Sequence, residues 1–231
     1  MEHIGFTPDN YELPEIQLGD RPFAAAIMLK SFVISTDSEN RSRFTSSMSL
    51  GIIGPGAFGR EMQTEIHEAT GNKIPLGWRN QIKNDVVVNY EVGYERQLVR
   101  FHDLFSLQAM GTAKLGTLFT NGSLGLNATL GLINDSFSVS SKRNGFNLYA
   151  YARPALNVIG YDATLQGGVF NRQSVYTISS GNVERFTGRL DYGLVLKTRS
   201  LYFEYTRSAI TSEFAGGEAY KWGGIRGGFT L

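Results

Sequence analysis

Residues 86–98 read VVVNYEVGYERQL, and their order decides the fold. Val86, Val88, Tyr90, Val92 and Tyr94 fall on one side of an extended chain, while Asn89, Glu91, Glu95 and Gln97 fall on the other. Successive side chains of a strand point to opposite faces, so the stretch predicts a strand with one apolar and one polar side. A soluble β-protein alternates in the same way, but turns its apolar side inward and covers its outside with charge. Here the polar side mixes Gly, Asn, Gln, Glu and Arg, the composition of a hydrated lumen, and the apolar side is an unbroken band. That combination fits strands that cross a membrane with the apolar band against lipid.

The same reading extends outward in both directions. In 105–115, Phe105, Leu107, Ala109, Gly111, Ala113 and Leu115 oppose Ser106, Gln108, Thr112 and Lys114. In 124–132 the apolar side is Leu124, Leu126, Ala128, Leu130 and Leu132, and in 146–158 it begins Phe146, Leu148, Ala150, Ala152. Further strands are expected at 23–35, 43–52, 161–171, 185–198, 199–208 and 219–231. The last of these alternates up to Phe229 and Leu231, in the manner of the closing strand of a bacterial outer-membrane barrel. The fold class is therefore all-β, an antiparallel transmembrane β-barrel of about ten strands, read as a single domain over 1–231.

One segment breaks the two-residue period. From Ala57 to Thr70 the apolar residues Met62, Ile66 and Ala69 recur at helical spacing, and Gly71 follows as a C′ cap. Gln63 and His67 lie one turn apart on the neighbouring stripe and point the same way. The helix sits in a long connection, roughly 53–84. Long excursions between strands usually carry function.

Composition narrows the partners. The formal net charge is +1, from 22 basic and 21 acidic residues, which supplies no field for nucleic acid. There are no cysteines, so no disulfide framework and no thiolate metal site. No run of residues approaches the roughly 18–20 apolar positions of a membrane helix; the longest candidate is Ala24 to Leu29. The N-terminus shows no signal-peptide pattern.

Few residues offer chemistry. Of the three histidines, His3 is expected at a ragged terminus and His102 in a tight turn, both bystanders. His67, on the helix, is either a solvated surface histidine or a general base, since imidazole titrates near neutrality and can draw a proton from water. The Gly54-Pro55-Gly56 run lacks the Lys-Ser/Thr of a phosphate loop and reads as a turn into the helix. In Asp20-Arg21-Pro22 the guanidinium could meet an anionic lipid head group, or the segment could be strand-entry turn chemistry.

Several of these stretches together resemble a known family. Gly19-Asp20-Arg21-Pro22-Phe23-Ala24, the block Gly51-Ile52-Ile53-Gly54-Pro55 followed by Gln63-Thr64-Glu65-Ile66-His67-Glu68, and Gly77-Trp78-Arg79-Asn80-Gln81 are similar to motifs of the lipid A 3′-O-deacylases of Gram-negative outer membranes. Tyr161-Asp162, Phe170-Asn171-Arg172-Gln173-Ser174 and Thr211-Ser212-Glu213-Phe214 extend the likeness towards the end. The resemblance implies a twelve-stranded barrel whose site lies between the wall and a loop helix, facing the outer leaflet. It implies calcium-dependent hydrolysis of the ester that holds the 3′-acyloxyacyl chain of lipid A. His67 is then the base and Gln63 its companion, with Arg21, Trp78 and Gln81 as substrate contacts. The partners are lipopolysaccharide and outer-membrane lipids, and the chain is a monomer.

The family's Asn-Asp calcium strand has no counterpart before Asp20, and Asn84-Asp85 and Asn134-Asp135 stand elsewhere in the pattern. The expectation is a barrel incomplete at its N-terminal side, lacking calcium ligands and inactive as written. The competing readings are a porin-like or scaffold-only outer-membrane barrel, and a soluble barrel that binds a small lipid.

Overall fold

A computed structural model describes residues 1–134, 137 and 145–229. Asp135, like Thr230 and Leu231, lies outside the described residues. Ten strands run in chain order: β1 (Glu2–Phe6), β2 (Ala24–Asp37), β3 (Ser42–Ile53), β4 (Asp85–Phe101), β5 (Phe105–Gly116), β6 (Phe119–Leu132), β7 (Asn147–Asp162), β8 (Phe186–Lys197), β9 (Leu201–Ile210) and β10 (Tyr220–Phe229). Each pairs antiparallel with the next, giving one all-antiparallel sheet with β1 and β10 at its edges. Among the described residues no helix is long and apolar enough to cross a membrane, a fact that leaves strand crossings untouched.

The sheet is curled, and its polar side is the concave one. Lys30 of β2 reaches over β3 to Glu91 of β4 at 3.0 Å. Tyr151 of β7 reaches over β8 to Glu204 of β9 at 2.6 Å, and Arg226 of β10 meets the same carboxylate at 2.8 Å. The alternation is resolved as expected: Ser106 and Gln108 are 1% and 5% exposed, whereas Leu124 and Leu156 are 75% and 74% exposed. Cross-strand neighbours share a face, so Leu50 beside Val88, and Tyr90 beside Leu115, build one continuous outward apolar band.

Two strand expectations are corrected. The stretch 161–171 is not a strand: Tyr161 and Asp162 close β7, and α2 (Ala163–Gln166) follows. Asp162 caps this turn, accepting from the Thr164 amide at 2.8 Å and its hydroxyl at 2.6 Å. A side chain that satisfies the free amides of a first turn starts a helix where the apolar pattern alone continues a strand. Conversely, Glu2–Phe6 forms β1, in register with Met28 to Ala24. So short a segment carries too little alternation to be read, and His3 is consequently not at a ragged end.

The two ends of the sheet differ. The connections 38–41, 102–104 and 198–200 are tight turns, with 133–146 (partly described) on the same end. His102 sits in one of those turns with φ of 48°, as expected of it. The long connections 7–23, 54–84, 163–185 and 211–219 gather at the opposite rim. There they pack three apolar clusters, around Ile53, Ile82 and Val87, around Phe23, Ala57 and Trp78, and around Leu165, Ile178 and Phe214.

Candidate functional site

Helix α1 (Gly59–Thr70) projects from the 54–84 connection, entered through a 3-10 turn at Pro55–Ala57. Gly71 ends it in the left-handed conformation, with φ of 69° and its amide directed at the carbonyls of Glu68 and His67. This is the cap the sequence calls for. The face it turns to the protein is not the apolar stripe but the Gln63–His67 line. Met62 and Ile66 are exposed, and the line turned to the protein is Gly59, Gln63 and His67.

The reason is steric. A Cβ placed on Gly59 would stand 2.3 Å from Ala25 Cβ and 2.8 Å from the Trp78 ring. The bare backbone turn at Gly59 therefore lets the helix approach the wall. Ala25 and Ile27 lie on the outward side of β2, because Ala26 and Met28 belong to the inner cluster. The helix therefore packs on the outer surface of the barrel, just at the rim.

The cleft between helix and wall collects most of the residues singled out by sequence. The Trp78 indole N–H donates to Gln63 Oε1 at 2.7 Å, and Trp78 packs on Phe23 with ring centroids 5.1 Å apart. With its oxygen held by the indole, Gln63 keeps its amide N–H groups for other partners. His67 Nδ1 lies 2.6 Å from the Lys73 carbonyl. A carbonyl can only accept, so Nδ1 carries a proton, and the position left for a basic lone pair is Nε2.

The Tyr11 ring meets the imidazole edge-on at 5.4 Å. Segment 11–14 is in turn tied down by the Leu76 amide on Tyr11 O at 3.0 Å and by Arg79 and Asn80 on Pro14 O. Lys73, which supplies the carbonyl, has its ammonium on Glu12 at 2.7 Å; that hydrogen bond, then the charge of Glu12, pushes its pKa up.

Gln81 closes the 3-10 turn Gly77–Asn80; its side chain is buried, and its Oε1 has no hydrogen-bond partner. An orphaned buried acceptor costs about 1–3 kcal/mol, and an oxygen this enclosed does not open onto the cleft. His3, expected from sequence to be a bystander, also borders this region. It sits opposite Ile27 on the outward side of β1, and its Nε2 donates to Ala57 O at 2.8 Å. Edge-strand position gave no signal for it.

Arg21 is brought to a different place. Its guanidinium, 5% exposed, pairs with Glu213 at 2.5 Å, donates to Thr164 Oγ1 at 3.0 Å and covers the Phe6 ring at 4.1 Å. It locks the 7–23, 163–185 and 211–219 connections together instead of opening onto the cleft. Three motifs far apart in sequence, at 19–24, 161–162 and 211–214, thus meet around one cation.

Against this geometry the comparisons are decisive. The whole chain, residues 1–231, matches the family described as outer membrane protein LpxR. The chain belongs to the outer membrane protein LpxR family. LpxR from Salmonella typhimurium, a solved structure, matches with a TM-score of 0.83 at 21% identity, over 99% of this chain and 81% of that one. At that identity the likeness is one of fold, and it agrees with the curled antiparallel sheet. No curated protein matches the chain. LpxR membership places the protein in the outer membrane and bears out the resemblance read from the motifs.

Proposed function

We propose, in place of the inactive chain expected from sequence, that this LpxR-family chain hydrolyses the ester that holds the 3′-acyloxyacyl chain of lipid A, in the outer leaflet of the outer membrane. The observation that carries the reading is the histidine's tautomer: Nδ1 is fixed on the Lys73 carbonyl, so a free Nε2 lone pair stands in a cleft on the barrel's outer surface. A base fixed in one tautomer and orientation is what general-base catalysis needs.

In the proposed step, Nε2 of His67 takes a proton from water and the hydroxide oxygen attacks the ester carbon. The tetrahedral oxyanion accepts hydrogen bonds from the Gln63 amide group, whose orientation the Trp78 indole sets. Collapse breaks the ester C–O bond, and the imidazolium returns its proton to the sugar oxygen. The products are a free acyloxyacyl acid and a sugar hydroxyl. Trp78 and Phe23 form the apolar floor. Arg21 acts at a distance, by holding the rim loops.

Calcium, implied by the resemblance, is assigned no step. Among the described residues no three His, Cys, Asp or Glu side chains converge on a point. A hard cation takes six to eight oxygens, and the two orphaned oxygens, of Gln81 in the 54–84 connection and Gln108 on β5, do not make such a set. The porin-like alternative has no specific observation in its favour.

Lipid A from cells expressing the protein, analysed by mass spectrometry, tests the reading. The expected result is loss of the 3′-acyloxyacyl mass, with the rate falling by about 10²–10⁴ in His67→Ala. Unchanged lipid A in the presence of correctly inserted protein, or full activity in His67→Ala, rejects it. Chelation of divalent ions in the same assay tests the calcium expectation separately.

A further inference from the structure

The apolar side of α1 has no protein over it. Phe58, Met62 and Ile66 are 62%, 43% and 51% exposed. A helix packed on a soluble protein would bury this stripe. Here the wall takes Gly59, Gln63 and His67, and the apolar stripe runs one residue ahead of that line at 58, 62 and 66. Neighbouring residues are about 100° apart around a helix, so the stripe borders the cleft. A third line, Glu61, Glu65 and Glu68, lies further round and is exposed.

Three observations say what covers the stripe. The helix packs on Ala25 and Ile27, the first outward residues of β2. The next outward residues on the adjoining strands, Leu29 of β2 and Leu50 of β3, are paired in register and 68% and 50% exposed, and they belong to the lipid-facing band. The stripe is therefore continuous with a surface that lipid already covers. Finally, Phe58 holds a left-handed backbone, φ 59° and ψ 27°, that bulky residues rarely adopt. Its ring is turned outward at the rim, the level at which aromatic girdles sit in outer-membrane barrels.

We propose that α1 is an interfacial helix, with Phe58, Met62 and Ile66 inserted among the acyl chains of the outer leaflet and the Glu61, Glu65 and Glu68 line turned to water. Interfacial helices bury their apolar face about 5–10 Å into the boundary of head groups and acyl chains. The inference rests on the outer-membrane placement of the chain and not on its hydrolytic chemistry. Its consequence for the cleft is direct: an acyl chain reaches the Gln63–His67 line sideways from the leaflet without crossing water.

Single-cysteine spin labels test this, since the chain has no cysteine of its own. Ile66→Cys, Glu65→Cys and, as the wall reference, Leu50→Cys are refolded into phosphatidylcholine vesicles containing lipopolysaccharide. Collision with oxygen, which concentrates in hydrocarbon, is compared with collision with a water-soluble nickel chelate. The expected oxygen-to-nickel ratio at Ile66 follows that at Leu50 and exceeds that at Glu65 several-fold. A nickel-accessible Ile66 label matching Glu65 overturns the proposal. So does a label shielded from both reagents, which would mean that protein covers the stripe. The same measurement in a His67→Ala background gives the same ratios, so the result stands apart from activity.

Discussion

The wall and the rim of this molecule are built to opposite rules. Along β5 and β6, and on β4 beyond Val87, the apolar side chains are outside and the buried groups include Ser106, Gln108, Asn89 and Thr129. At the rim the loops bury Phe23, Trp78, Ile82, Leu165 and Phe214 as a soluble protein would. The difference teaches that two solvents act on one chain. Where lipid surrounds the strands, apolar groups gain nothing by facing inward. Where water surrounds the loops, the hydrophobic effect packs them.

Substitutions can break this contrast at either end. The largest expected effect is at the rim's ion pair. Arg21→Ala strands Glu213, and removing one partner of a buried pair costs about 3–5 kcal/mol. Urea unfolding from vesicles measures it, and a loss under about 1 kcal/mol would show that the lock is not structural. Trp78→Ala is expected to cost a similar amount, about 3–5 kcal/mol, because it leaves a cavity in packed protein, and it also frees Gln63. Deacylation should fall with it.

On the wall, Leu124→Arg, midway along β6, is expected to cost about 2–4 kcal/mol by placing a cation in hydrocarbon. Were the outward face in water, the change would be near neutral. Leu156→Ala should cost less, about 2 kcal/mol, since only the transfer of the lost methylenes counts and lipid refills the space. A cost equal to that of Trp78→Ala would mean that the wall is packed like the rim.

The smallest effect concerns Asp9, in the 7–23 loop. Burial first, then the charges of Asp20 and Glu218, push its carboxyl above the ordinary range. A raised acid favours the folded state when protonated, so this contribution is present below the ordinary carboxylate pKa and is lost as pH rises through the raised value. Asp9→Asn should therefore raise the melting temperature slightly at neutral pH and leave it unchanged in acid. A rise of equal size at both pH values would trace the effect to something other than charge.

The alternation in 86–98, 105–115 and 124–132 was legible because a strand between lipid and lumen must repeat every two residues. The helix and its Gly71 cap were legible for the same reason at a different period. The stretch after Tyr161 was misread because the Asp162 cap, a local hydrogen-bond signal, was outweighed by apolar continuity. Glu2–Phe6 was too short to signal at all. For the site, Gln63, His67 and Trp78 were named together and are found together, whereas Arg21 was placed near lipid and sits in an ion pair with Glu213.

Sequence by itself determined the period, the sidedness of the wall and the residues able to do chemistry, because these follow from local geometry and from which groups tolerate hydrocarbon. Only the tertiary structure decided which side of α1 meets the wall. Hydrophobicity pointed to Met62 and Ile66, but close approach needed the missing side chain of Gly59 against Ala25, and hydrogen bonds then fixed Gln63 and His67. Steric fit between elements distant in sequence is a property of the assembled pair, and neither segment records it alone.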